Sequence, residues 1–195
     1  MENIKITITD TEILSANWAK LSKITFNYET AEGVVQLHKR EVYDRGDGAA
    51  VLLYNKISKN IVLIKQFRMP SYLNGNPDGF LIEACAGVVE QENPEAGIKR
   101  EIEEETGYEI AKVNKIFQAY MSPGALTEII YFFLAEYSSA MKTGEGGGLD
   151  TEQENIEVIE MPFEAAYQMI ASGEIIDAKT IMLLQYAKIN DIFGT

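Results

Sequence analysis

The run Arg100-Glu101-Ile102-Glu103-Glu104-Glu105-Thr106-Gly107-Tyr108 constrains this chain more than any other segment. Helical geometry puts Glu101, Glu104 and Glu105 at i, i+3 and i+4, so their carboxylates share one face. Like charges so placed oppose the helix by roughly a few tenths of a kcal/mol per pair. A cation on that face removes the penalty, and converging hard oxygen ligands suit Mg²⁺ or Mn²⁺ rather than zinc. Arg100 lies four residues before Glu104 and can orient it. Pro94 fits a first helical turn and Gly107 the left-handed residue past the last one, so the two bracket a helix.

This run resembles the second half of the Nudix box, G-x5-E-x7-R-E-U-x-E-E-x-G-U, with U aliphatic or aromatic. Counting back from Arg100, the isolated Glu of the pattern falls on Glu92. The first Gly would fall on position 86, where Ala86 stands and Gly87 follows, so the loop departs there by one residue. The resemblance covers 86–108 and implies a metal-dependent hydrolase. Without it, the same residues read as an acidic, solvated helix closed by a glycine.

With 195 residues, 46% of them hydrophobic, the chain can bury a full core as one main domain with an extension. No apolar run approaches the roughly 20 residues of a membrane span. The N-terminus lacks a basic stretch followed by an apolar one, so no secretory signal is expected. A single cysteine, Cys85, fits a reducing cytoplasm, and its apolar neighbours suggest a buried small residue rather than a nucleophile. The formal net charge of −13 repels nucleic acid and anionic membranes. It also opposes an anionic substrate unless cations intervene, in keeping with a metal site.

Alternation over 4–9, 24–30 and 34–44 predicts an antiparallel N-terminal sheet with a turn at Glu32-Gly33. Arg45 to Gly48 reads as a boundary, dividing the chain into 1–45 and 46–195. Apolar runs at 49–54 and 61–67 flank a polar turn and predict a hairpin. One strand is expected over 80–85, then the helix ending at Gly107, then strands over 113–121 and 128–137. The glycine-rich, acidic segment 142–155 is expected to be a mobile loop. A short strand over 156–161 and helices over 162–172 and 178–189 complete the chain. Propensity gives an α+β class; the resemblance implies the Nudix α/β/α sandwich with an N-terminal antiparallel β-subdomain.

Four further features sharpen the resemblance toward the Nudix branch that cleaves nucleotide sugars. In Glu83-Ala84-Cys85-Ala86-Gly87, the backbone carbonyl of Ala86 is the implied metal ligand. Lys39-Arg40-Glu41 and Arg68 offer charge-assisted donors for a pyrophosphate, arginine as a planar fork. His38 beside them is given no role. The acidic segment Glu152-Gln153-Glu154 implies a metal ligand at Glu154 and a base at Glu152, both carried by a loop whose glycines let it close. In Ser122-Pro123-Gly124-Ala125-Leu126-Thr127-Glu128, a generic turn pair precedes Glu128, which carries the functional weight.

The resemblance runs from about Trp18 to Lys179 and implies a homodimer paired through the N-terminal sheet. Trp18, Lys39, Arg40 and Glu41 are implied nucleotide contacts, and Lys179 a substrate contact. The implied metal set is the Ala86 carbonyl, Glu101, Glu105 and Glu154, with Glu104 sharing a metal or positioning water. The expected reaction is Mg²⁺-dependent hydrolysis of a nucleoside diphosphate-sugar, first GDP-mannose to GMP and mannose 1-phosphate, with ADP-ribose as the alternative substrate. A non-catalytic nucleotide sensor is the alternative of another class.

Overall fold

A computed structural model describes residues 4–89, 93–149, 151 and 154–194. The chain divides into two compact units, one of residues 1–47 with 119–130 and one of 48–118 with 131–195.

The first unit carries an antiparallel sheet of β1 (Lys5–Ala16), β2 (Lys20–Glu29) and β3 (Val35–Asp44), in the order β1-β2-β3. β1 continues well past the residue where alternation stops being legible. The β1–β2 register slips between Ile8 and Asp10 and again between Ile13 and Ser15. Each slip exchanges the faces of the residues that follow, so a strict period of two ends at Thr9 although the strand does not. Residues of 119–130 close this unit: the Tyr43 N–H donates to the Ala125 carbonyl at 2.8 Å, and Asp44 accepts from the Thr127 hydroxyl at 3.1 Å.

The second unit is built on a seven-stranded sheet. Its main path is β10 (Glu157–Pro162), β5 (Asn60–Phe67), β4 (Asp47–Asn55), β9 (Ile129–Glu136) and β8 (Asn114–Tyr120). Two short strands add to it, β6 (Phe80–Glu83) on β5 and β7 (Cys85–Val89) on β4. β4 is buried along nearly its whole length, which explains its unbroken apolar run: both faces are covered. A five-residue helix, α1 (Met69–Leu73), follows β5 and was not foreseen.

Helix α2 (Pro94–Thr106) starts where Asn93 Oδ1 accepts the amides of Glu95 and Ala96. It stops at Gly107, whose φ of 74° suits the left-handed region. α2 lies against β7 and β5. It buries Ile98 and Ile102 among Val51, Leu53, Val62 and Phe133, and Glu105 and Thr106 lie on the same buried side. The last helices, α3 (Phe163–Ser172) and α4 (Ala178–Ile189), pack on each other, and α3 also meets β10.

Two expectations need correction. The single strand over 80–85 is two strands, broken at Ala84, because the Ala84 amide donates to the Thr180 hydroxyl at 2.7 Å instead of joining a ladder. The mobile loop of 142–155 is, over 143–149, a cap on α2. Thr143 and Gly144 amides donate to the Gly107 carbonyl, Gly147 to Glu105 and Gly148 to Glu104. These bonds satisfy carbonyls that a helix end leaves without partners. Gly146, at φ 72°, passes so close that a β-carbon would lie 2.5 Å from the Glu105 carbonyl oxygen.

Candidate active site

Helix α2 packs against β7. Glu105 is 1% exposed. Its Oε2 accepts the Ala86 amide at 3.1 Å. Burial first, then the nearby Glu101 and Glu154, push its pKa up to about 8, against hydrogen bonds from the Cys85 thiol and the Ala86 amide. The same arrangement raises Cys85 well above the usual thiol range, burial first and Glu105 next. A thiol so placed is a neutral donor, not a nucleophile.

Glu101 stands one turn earlier with its pKa raised to about 7, by burial foremost and by Glu104 and Glu154 in addition, against the pull of Arg100. Arg100 contacts Glu101 Oε1 at 3.0 Å and Glu104 Oε2 at 2.8 Å. Gly87 faces Glu101 directly, and a β-carbon there would overlap the Glu101 carboxyl. Glu154 comes from the segment after the glycines, its Oε2 accepting the Leu149 amide at 3.3 Å.

Among the described residues, no three carboxylate, histidine or cysteine side chains form a ready-made cation cage. The donor chemistry nonetheless fits a divalent cation. Two carboxylates are held in a site that resists their charge, a third acts on both, and the Gly87 cradle keeps Glu101 against β7. All are hard oxygen donors of the kind Mg²⁺ takes. Glu101, Glu105 and Glu154 are thus brought into one neighbourhood with Ala86, and Glu104 is held beside it by Arg100. Glu92 and Glu152 lie outside the described residues.

A second cluster belongs to the same unit. Arg68 forks onto the buried Glu83, Nε to Oε1 at 2.8 Å and Nη2 to Oε2 at 2.9 Å. Lys179 reaches Asp177 at 2.7 Å and Glu83 at 3.6 Å. Burial opposes the Arg68 charge, but Glu83, then Glu105 and Asp177, raise its pKa on balance. Two of the cations expected to meet substrate, Arg68 and Lys179, therefore share one anion. Glu83, Asp177 and Thr180 were missed as site residues. A glutamate inside the apolar run Phe80 to Ala86 was the available signal for the first.

The remaining expected residues lie in the N-terminal unit. Arg45 stacks over the Trp18 ring at 5.6 Å and pairs with Glu128 at 3.0 Å, and Glu128 is 6% exposed. Trp18 itself is 74% exposed, so it does not anchor a core. Lys39, Arg40 and Glu41 stand exposed along β3. Arg40 Nη1 donates to the Lys39 carbonyl at 2.8 Å. His38, beside it, stacks on Phe26 with centroids 5.3 Å apart.

The profile of the NUDIX domain matches residues 44–184, and that of the GDP-mannose pyrophosphatase NudK N-terminal domain matches residues 5–43. The chain is 54% identical to a GDP-mannose pyrophosphatase of Yersinia pestis over 96% of this chain and 94% of that one. It is 50% identical to one from Klebsiella pneumoniae over 98% and 96% of the two chains. To the protein of that name in Yersinia enterocolitica it is 53% identical over 97% and 98%.

Proposed function

Because this chain belongs to the Nudix family, we propose that it hydrolyses the pyrophosphate of a nucleotide sugar with a divalent cation, converting GDP-mannose to GMP and mannose 1-phosphate. The observation that carries this reading is the pair of carboxylates on α2, the half-buried Glu101 and the buried Glu105, raised to about 7 and about 8 and both destabilised as anions by Glu154. Acids kept protonated in isolation become ligands when a cation supplies the missing charge. The relatives' name supplies the substrate.

Mg²⁺, with Mn²⁺ as its substitute, would be held by Glu101, Glu105, Glu154 and the Ala86 carbonyl, and would supply Lewis-acid neutralisation of the pyrophosphate charge. The chain's own groups do the rest. Arg68 and Lys179 offer donors to the substrate's anionic oxygens, the guanidinium bidentately. Arg100, 2.8 Å from Glu104 Oε2, orients Glu104 toward the water that it positions, and Glu152 serves as base. Trp18, Lys39, Arg40, Glu41 and Glu128 contact the nucleotide sugar, the Trp18 ring through its π-face.

Residues 1–45 serve dimerisation and nucleotide contact, and 46–195 hydrolysis. The support for a homodimer is the N-terminal sheet, which leaves Ile6, Ile8, Ile13 and Leu37 exposed; a second copy of that surface would cover them. The lone buried thiol suits a reducing cytoplasm. Among the described residues no helix is long and apolar enough to cross a membrane.

The test offers GDP-mannose and ADP-ribose to the purified protein with Mg²⁺ and identifies the products. GDP-mannose should be preferred by at least about tenfold in kcat/KM, with GMP and mannose 1-phosphate released. A preference for ADP-ribose would move the assignment within the family. No turnover of any nucleotide sugar would favour a sensor and overturn the hydrolase.

A further inference from the structure

Thr180 is completely buried, yet it is a threonine where a valine would fill the same space. It is the third residue of α4, whose cap is Asp177: the Asp177 Oδ2 accepts the Thr180 amide at 2.9 Å. That amide is all the cap requires. The hydroxyl is additional, and both of its hydrogen-bonding directions are fixed. It donates to Asp177 Oδ2 at 2.8 Å and accepts the Ala84 amide at 2.7 Å. Ala84 is itself 0% exposed, so without the hydroxyl its N–H would be buried with no acceptor.

Ala84 is the break between β6 and β7. Its predecessor, Glu83, is gripped from both sides by Arg68 and Lys179, and Lys179 is tied to the other oxygen of Asp177. The N-terminus of α4 thus holds both residues at the break. The next three residues are the ones that meet the acidic face of α2. The Cys85 thiol and the Ala86 amide bond to Glu105, and Gly87 lies against Glu101 with no room for a side chain. Within three residues of Ala84 the strand therefore touches both carboxylates.

We propose that Thr180 is a positioning residue for the cation site: its hydroxyl, oriented by Asp177, holds the Ala84 amide and so sets where Ala86 and Gly87 are presented to Glu105 and Glu101. The proposal rests on the metal-dependent reading above. It assigns the effect of Thr180 to metal use, not to substrate affinity.

Thr180→Val keeps shape and removes the hydroxyl, while Thr180→Ser keeps the hydroxyl and loses a methyl. Both are compared with wild type by Mg²⁺ titration of GDP-mannose hydrolysis, by Mn²⁺ titration followed by electron paramagnetic resonance, and by thermal unfolding. Thr180→Val should raise the metal half-saturation about tenfold and lower kcat about 10- to 100-fold, the scale seen when groups supporting metal ligands are removed. KM for the nucleotide sugar should move less than about threefold, and Thr180→Ser should stay within about threefold of wild type throughout. If Thr180→Val does not fold, Asp177→Asn keeps a cap acceptor but loses the charge that orients the hydroxyl, and should raise the metal half-saturation in the same direction. A lower Tm with unchanged metal half-saturation in the folded variant would overturn the proposal, leaving Thr180 a packing residue. Wild-type turnover indifferent to metal would overturn the metal reading and this proposal with it.

Discussion

Among single residues, Glu105 and Glu101, the proposed metal ligands, create a liability in the metal-free protein. Both have folded pKa values above the ordinary 4.5, at about 8 and about 7. Between pH 4.5 and 8 these two groups therefore hold more protons in the folded state than in the unfolded chain. Their contribution to stability falls as pH rises through that window, the reverse of the usual salt-bridged carboxylate. Thermal melts with chelator should show Tm declining from pH 5.5 to 8.5. Added Mg²⁺ should stabilise more at pH 8.5 than at pH 5.5, because the ionised carboxylates bind it best. A Tm that rises with pH in chelator would show that these two acids are not held as described. Thr180 and Asp177 belong to the same scale but were not legible in the sequence. The Ala84 to Thr180 bond joins residues 96 apart, and no local pattern announces such a pair. The α2 carboxylates were legible because the helix itself puts them together.

Helices and strands were read well where their signals are local. Pro94 and Gly107 bracket α2 as expected, and the 49–54 and 61–67 runs form the β4–β5 hairpin. The readings failed where geometry depends on a partner: β1 past its first bulge, and the β6–β7 break. The glycine-rich segment was misjudged for a related reason. Its glycines suggested freedom, but here they permit close contact with the end of α2, where Gly147 and Gly148 amides cover the Glu105 and Glu104 carbonyls. Gly146→Ala should therefore do more than stiffen a loop. Its left-handed backbone alone opposes a side chain by about 1–2 kcal/mol, and the added methyl group meets the Glu105 carbonyl. The variant should lose Tm and about tenfold in turnover, since the segment also carries Glu154. Unchanged stability and activity would mean that the segment does not need its seat on α2.

For the molecule as a whole, the apolar residues left uncovered on the N-terminal sheet argue for assembly. Ile8, Ile13 and Leu37 are each more than half exposed, and a sheet of that kind stays soluble by pairing. Light scattering at low micromolar concentration should give about twice 21.8 kDa, and charged replacements at Ile8 and Leu37 should shift the population toward monomer. A monodisperse monomer in the unaltered protein would refute the dimer. The net charge of −13 sharpens the need for a cation at whole-molecule scale as well, because an anionic substrate must approach an anionic protein. The most direct measurement strips the protein of metal with chelator, adds Mg²⁺ back, and follows GDP-mannose cleavage in wild type and Glu105→Gln side by side. Turnover should be absent in chelator and return saturably in wild type as GMP and mannose 1-phosphate. In the variant it should stay lower by about a thousandfold or more, with its fold retained. Turnover that persists in chelator, or that returns equally in Glu105→Gln, would contradict a cation held on the acidic face of α2.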